Sequence, residues 1–283
     1  VPRARSGQHF LTDPGILGRI VEALDPSEED VVLEIGAGKG TLTLALASRV
    51  GRVIAIEKDP RLVSYLKKAL SSAEWIVAPR VSVVEGDALE LDWHELAAEL
   101  GGAQPLAGKA GFKVAGNIPY YLTSSLIEKA LMPPLPRVVV FLVQREVADR
   151  LRAAPGSKAY GALSAGVQVV SRVEKLFSVK AGAFRPRPRV DSAVVRMVPL
   201  EEPPLDPLEH DDFRAFVTAL FSQRRKQLGH SLRFIAEAPA ARVERWLRSL
   251  GIDPRRRVES LRPTELLQLF RRSSSLTLEE GEG

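Results

Sequence analysis

Asn117-Ile118-Pro119-Tyr120 puts two hydrogen-bond acceptors, a stiff turn and an aromatic ring into four consecutive residues. The side-chain oxygen of Asn117 and the backbone carbonyl of Ile118 suit the two hydrogens of a planar amine. Pro119 stiffens the loop, and Tyr120 offers a face for stacking. The exocyclic amine of a base is a poor nucleophile, because its lone pair is delocalised into the ring. Holding both hydrogens favours a pyramidal nitrogen and aims its lone pair at an electrophile, which is an orientation effect. The Tyr120 ring also suits the cationic character of a nitrogen being alkylated. No strong general base is required, since an alkylated amine loses its proton readily.

A second set of residues describes what carries the electrophile. Glu34-Ile35-Gly36-Ala37-Gly38-Lys39-Gly40 places glycines where a strand must turn into a helix while its backbone comes close to a ligand. The third glycine arrives one residue earlier than in the dinucleotide fingerprint, and Thr41 takes the expected place, which disfavours a diphosphate. Glu57 falls at the end of the next strand, where a carboxylate accepts ribose hydroxyl protons. Asp87, within Gly86-Asp87-Ala88, is placed either to accept from an adenine amine or to cap a helix. Together these features predict an adenosine pocket, and beside an amine-holding loop the fitting ligand is S-adenosylmethionine.

The elements that must position these groups are legible in the hydrophobic pattern. Apolar runs at 31–35, 53–56, 81–84, 112–115 and 138–143 alternate with helical spacing, notably at 41–50 and 60–70, where Pro60 stands in the first turn. Strands alternating with helices predict an α/β, Rossmann-like domain with a mainly parallel, doubly wound sheet. Runs at 173–179 and 191–198 are expected to add an antiparallel end. The expected organisation is a catalytic domain over 1–200, a Pro-rich and acidic linker over 201–212, a small all-helical domain over 213–272 and a disordered tail over 273–283. Within the helical domain the spacing predicts helices at 213–221, 223–235, 241–250 and 263–270.

The 283 residues are 45% apolar and 27% charged, in keeping with a globular chain that buries a substantial core. With no cysteine, and with His9, His94, His210 and His230 scattered, no metal site is expected. No apolar run long enough for a membrane span and no secretory segment is seen, so a cytoplasmic setting is expected. Net charge is +5 with a pI near 9.5. The distribution says more: from Arg214 to Arg262 twelve basic residues face four acids, which suits either a polyanionic partner or a solvated helical face.

The set Gly7-Gln8-His9-Phe10-Leu11, Glu34 to Gly40, Glu57, Gly86-Asp87-Ala88, Asn117 to Tyr120, Ser157 to Gly161, Phe184 to Ser192 and Gln223-Arg224-Arg225-Lys226 resembles, in order, the bacterial small-subunit ribosomal RNA adenine dimethyltransferases. The likeness runs from about Arg3 to Phe270. It implies conversion of two adjacent adenines near the 3′ end of 16S rRNA to N6,N6-dimethyladenine, on an immature 30S particle, by a monomer. It also implies S-adenosylmethionine contacts from Gln8, His9, Leu11, Gly36, Gly38, Glu57, Asp87, Ala88 and Asn117. His9 stands where the family often has asparagine, and Ile118 where bacterial members usually have leucine, a change that keeps the carbonyl. Phe184 would be a second stacking aromatic or, alternatively, an apolar anchor under the Pro-rich turn. Arg224, Arg225, Lys226, Arg248 and Arg255 would contact RNA. Two related readings stay open, a 23S rRNA methyltransferase of the macrolide-resistance type and a nucleic-acid-binding transcription factor. The Gln223–Lys226 motif weighs against the first, and intact Asn117 and Tyr120 weigh against the second.

Overall fold

A computed structural model describes residues 9–71, 77–103, 110–273 and 276. Nine strands are present among them: β1 (Phe10–Leu11), β2 (Val31–Ile35), β3 (Arg52–Glu57), β4 (Val81–Glu85), β5 (Phe112–Asn117), β6 (Val139–Gln144), β7 (Ser171–Val179), β8 (Phe184–Arg185) and β9 (Ser192–Pro199). Seven form one sheet in the order β4-β3-β2-β5-β6-β9-β7. The pairs among β4, β3, β2, β5 and β6 are parallel, and β9 joins β6 antiparallel, as the sequence pattern predicts. Every residue of β2 is buried, the pattern of a strand covered on both faces.

Helix starts follow local chemistry. Asp13 accepts from the Gly15 and Ile16 amides ahead of helix Pro14–Glu22, and Asp59 and Asp92 cap helices Pro60–Leu70 and Trp93–Gly101 in the same manner. One core joins Leu17, Ile20 and Leu24 with Leu46, Val32, Val53, Val140 and Leu142 against one face of the sheet. Because the chain runs outward from β2 to β3 on one side and to β5 on the other, the order reverses beside β2. Ligands of open parallel sheets bind outside the carboxyl ends of the strands at such a switch point.

The chain divides into two compact units, one of Val1–Ala148 with Arg172–Pro199, the other of Asp149–Ser171 with Leu200–Gly283. The second is helical, with helices Ala162–Gln168, His210–Ser222, Leu228–Ile235, Ala240–Ser249 and Pro263–Arg272. It recruits Asp149–Ser171, which the sequence pattern assigns to the catalytic domain, because helix 162–168 packs on helix 210–222 and Tyr160 stacks edge-on to Phe221 at 5.8 Å. Part of the expected linker is ordered as a turn over Pro207–Glu209 leading into helix 210–222. The expected helix over 223–235 is broken. Gln223 ends one helix, Lys226 N donates to Gln223 O (2.8 Å), and Gln227 is extended ahead of Leu228. Of the expected disordered tail, residues 274–275 and 277–283 lie outside the described residues, while Leu276 is buried.

Candidate active site

The carboxyl ends of β2, β3, β4 and β5 surround a cavity of 360 Å³, within the range of small-molecule sites. Its lining includes His9, Gly36, Gly38, Glu57, Asp87, Ala88, Asn117, Ile118, Pro119 and Tyr120. Residues far apart in the sequence therefore meet, because the glycine loop, Glu57, Asp87 and Asn117 stand where parallel strands end, with His9 joining them from just ahead of β1.

The glycine loop is stitched over β3. Gly36 N and Ala37 N both donate to Ile56 O, at 2.9 and 3.1 Å. Gly38 has a φ of +61°, and a Cβ there would stand 3.0 Å from the Phe10 ring, so any side chain would be strained and crowded. That backbone hands its amide to the acid: Gly38 N donates to Glu57 Oε2 and Asp59 N to Glu57 Oε1, both at 2.8 Å. Glu57 is thus fixed at 7% exposure, and each oxygen keeps acceptor capacity toward the cavity.

Asp87 lines the cavity but heads no helix, since the next one, Trp93–Gly101, is capped by Asp92. Asp87 Oδ1 accepts from Leu89 N (2.9 Å), closing a local turn, while Oδ2 accepts from the Lys58 ammonium. The Lys58 hydrogen bond, helped by the Leu89 amide, holds this carboxyl below its ordinary range. Glu34, at the base of the loop, is the opposite case: burial pushes it up to about 8, opposed by neighbouring Thr43 and reinforced by the charge of Glu57. The acid is therefore mainly neutral at pH 7.

At the end of β5, Gly116 leaves room that a side chain would take, since a Cβ there would lie 2.7 Å from Ile35 O. Asn117 Nδ2 donates to His9 O (2.8 Å). Only the amide nitrogen can face a carbonyl, so this bond fixes which way the amide points and reserves Oδ1 as its acceptor. Ile118 is anchored by its buried side chain and by N–H donation to Leu142 O (3.1 Å). The Tyr120 hydroxyl and Ser192 Oγ are hydrogen-bonded at 3.1 Å, and the Tyr120 ring lies 5.6 Å from that of His9, tilted by 31°. Burial raises the Tyr120 phenol, so it stays protonated at neutral pH. Leu122 N donates to Pro119 O (3.0 Å), turning the chain into helix Thr123–Ala130 and leaving Tyr121 77% exposed beside the cavity.

Two expected site residues lie elsewhere. Leu11 (3% exposed) and Phe184 (1%) pair across β1 and β8 and belong to the apolar core, so neither side chain lines the cavity. The anchor alternative for Phe184 describes this arrangement, and the stacking expectation is corrected to it. The reason is the β1–β8 pairing, which carries the phenyl inward beside Val179 and Val194. Gln8 lies outside the described residues.

Other contributors carry no single-residue signal in the sequence. Phe10 packs over Gly38 and holds Lys39 Nζ 4.5 Å above its ring. Lys58 pairs with Asp87, and Ser192 holds Tyr120. Phe10 and Ser192 fall inside the sequence motifs Gly7–Leu11 and Phe184–Ser192, but only the fold shows what each of the three touches.

In the helical unit, Arg224 is committed internally. Its Nε donates to Glu259 (2.6 Å) and its Nη2 to the carbonyls of Ser157 (3.3 Å) and Lys158 (2.8 Å). Three of its five N–H donors are thereby taken up within the helical unit, which gives Arg224 a structural role that the sequence pattern does not announce and leaves Nη1 for the expected RNA contact. Arg225 and Lys226 are exposed. Arg248 and Arg255 are exposed too, paired with Glu244 (4.0 Å) and Asp253 (3.0 Å).

The family model for ribosomal RNA adenine dimethylase matches residues 2–274. The chain is 40% identical to the ribosomal RNA small subunit methyltransferase A of Halothermothrix orenii, over 90% of this chain and 82% of that protein. It is 39% identical to the protein of the same name from Geobacter metallireducens, over 97% of each. Among solved structures, a dimethyladenosine transferase from Plasmodium falciparum superposes with a TM-score of 0.75 at 27% identity, covering 94% of this chain and 98% of that one. The 23S rRNA methyltransferase ErmE gives 0.66 at 28% identity, covering 94% and 99%.

Proposed function

The chain belongs to the ribosomal RNA adenine dimethylase family, and from that premise we propose that it dimethylates two adjacent adenines near the 3′ end of 16S rRNA, acting as a monomer on an immature 30S particle in the cytoplasm. It is an S-adenosylmethionine-dependent rRNA adenine dimethyltransferase; the sites modified and the assembly stage are the proposal. Identity of 39–40% to small-subunit enzymes, against 28% to ErmE, favours small-subunit RNA over the 23S alternative. Among the described residues no helix is long and apolar enough to cross a membrane.

The cavity fits the cofactor by its donors and acceptors. Glu57, fixed by two backbone amides, keeps lone pairs for ribose hydroxyls, and Asp87 keeps capacity for an adenine amine. Gly36 and Gly38 let the backbone approach, with His9 and Ala88 completing the walls. S-adenosylmethionine, when bound, supplies a methyl group made electrophilic by a sulfonium.

The observation that carries the mechanism is the His9 carbonyl on Asn117 Nδ2. It prepays the orientation of Oδ1, which accepts one hydrogen of the target amine, while the Ile118 carbonyl accepts the other. Tyr120, steadied by Ser192, stacks on the base. Pro119 keeps the turn stiff between them. The exposed cations of the helical unit, including Arg225, Lys226, Arg248 and Arg255, dock rRNA through its phosphates.

Methyl incorporation is the test, with naked 16S rRNA, immature small subunits and large-subunit rRNA compared as substrates. The expected product is a pair of dimethyladenines in small-subunit RNA, formed best on particles. Modification confined to large-subunit RNA overturns the assignment in favour of the macrolide-resistance type.

A further inference from the structure

Helix Leu228–Ile235 turns Leu228, Ser231 and Leu232 into the helical unit and leaves His230, Arg233 and Phe234 outside. Phe234 is 65% exposed, an unusual place for a large apolar ring. It is not loose on the surface: the His230 ring, one turn earlier, lies 4.9 Å away and tilted by 55°, so the two rings form a notch with one open aromatic face. The helix carrying them is tied down at its start. Leu228 N donates to Arg256 O (2.7 Å), and Gly229 N to Pro254 O (2.9 Å).

Charge around the notch is mostly positive. Glu259 holds Arg224 and Asp253 holds Arg255, which leaves the exposed Glu237, just past the helix end, as the acid nearest Phe234 in the sequence. Arg225, Lys226, Arg233 and Arg257 are exposed, and among the described residues none has an ion-pair partner. Arg233 shares the helix with the two rings, while Arg225, Lys226 and Arg257 lie next to its tied-down start, and an aromatic face flanked by free cations is complementary to a chain of phosphates that carries unstacked bases. A duplex hides those faces inside its stack.

We propose that the His230–Phe234 notch, with Arg225, Lys226, Arg233 and Arg257, is a docking site for an unpaired RNA segment, one base stacking on Phe234 while the cations hold flanking phosphates. The site rests on the rRNA reading above and adds to it a contact that recognises single-stranded character rather than charge alone.

The test uses the full chain with a fluorescent oligouridine, which lacks an exocyclic amine and so is no substrate for the methylating pocket, and with a duplex of equal length. Phe234→Ala should weaken oligouridine binding about five- to hundredfold, the range of one lost stacking contact, with the duplex unaffected and the salt dependence unchanged. Phe234→Trp should restore it, and Phe234→Leu should behave like Ala, since it is apolar without a π face. Arg233→Gln should instead flatten the salt dependence by roughly 0.7 of a log unit per log unit. An unchanged helical circular dichroism signal and melting temperature in each variant report an intact helical unit. Wild-type affinity in Phe234→Ala, or full rescue by Leu, overturns the stacking site, the latter because an apolar side chain without a π face would then hold the RNA equally well. Those outcomes are distinct from failure of the rRNA reading, in which the unaltered protein methylates no rRNA.

Discussion

At the amino edge of the parallel sheet, Lys113 donates to Asp30 Oδ2 and to the carbonyl of Asp25, both at 2.6 Å, and Arg137 donates to Asp30 Oδ1 at 2.9 Å. The Ser27 amide completes the shell of Asp30 (2.7 Å). At the carboxyl edge, Glu57, Asp87 and Asn117 are oriented as firmly, yet each keeps an oxygen with unspent capacity toward a cavity. Both edges hold polar groups, and β5 contributes to each, with Lys113 at one end and Asn117 at the other. One saturates them inside the protein and acts as a staple; the other fixes their direction and leaves part of their bonding to a ligand. A buried charge alone therefore does not mark a site, whereas an oriented group with an unfilled acceptor facing a cavity does.

Breaking the staple should give the largest change, and in stability alone. Asp30→Ala strands the buried Lys113 ammonium and should cost about 3 to 5 kcal/mol, read as a lower denaturation midpoint. S-adenosylmethionine affinity of the folded protein should stay normal. A variant that loses cofactor affinity with unchanged stability would erase the distinction between the edges.

Asn117→Ala tests the other edge. Removing one preoriented acceptor should slow turnover by about 10² to 10³, with unfolding and RNA binding near normal. Near-normal single-turnover rates would take Asn117 out of the mechanism.

A smaller effect is expected from Glu57→Ala, which removes the ribose acceptor. S-adenosylmethionine should bind roughly ten- to a hundredfold more weakly by calorimetry, the value of about 1.5 to 3 kcal/mol for a hydrogen bond to a charged group. Tighter binding of NAD than of S-adenosylmethionine by the unaltered protein would sink the cofactor pocket as described.

Glu34→Gln should change cofactor affinity at pH 7 least, because glutamine has the shape of the neutral acid already present. It sharpens the comparison through pH. Glu34 is raised to about 8 in the fold from a usual 4.5, so the folded state holds the extra proton between those values. Stability contributed by the neutral acid is therefore full below about 4.5, declines as pH climbs to about 8, and is level above. Melting temperatures of the Gln variant should lack that decline, and equal slopes in both proteins would show that Glu34 ionises normally.

The sequence by itself determined what depends on near neighbours. Apolar runs set the strands, Asp-Pro pairs the starts of two helices, and the glycines before Thr41 the turn that bares the backbone; because parallel strands share a carboxyl edge, Glu57, Asp87 and Asn117 had to meet there. Only the tertiary structure decided which distant groups complete each of them. His9 O orients Asn117 across 108 residues, and Ser192 steadies Tyr120 across 72. The β1–β8 pairing buries Phe184, and Glu259 claims Arg224 from a motif that otherwise reads as wholly RNA-facing. Periodicity and capping act over a few residues and leave a trace in composition. The choice of a partner a hundred residues away rests on which strand ends come into register, and any of many carbonyls or hydroxyls could have served, so no single residue type announces it.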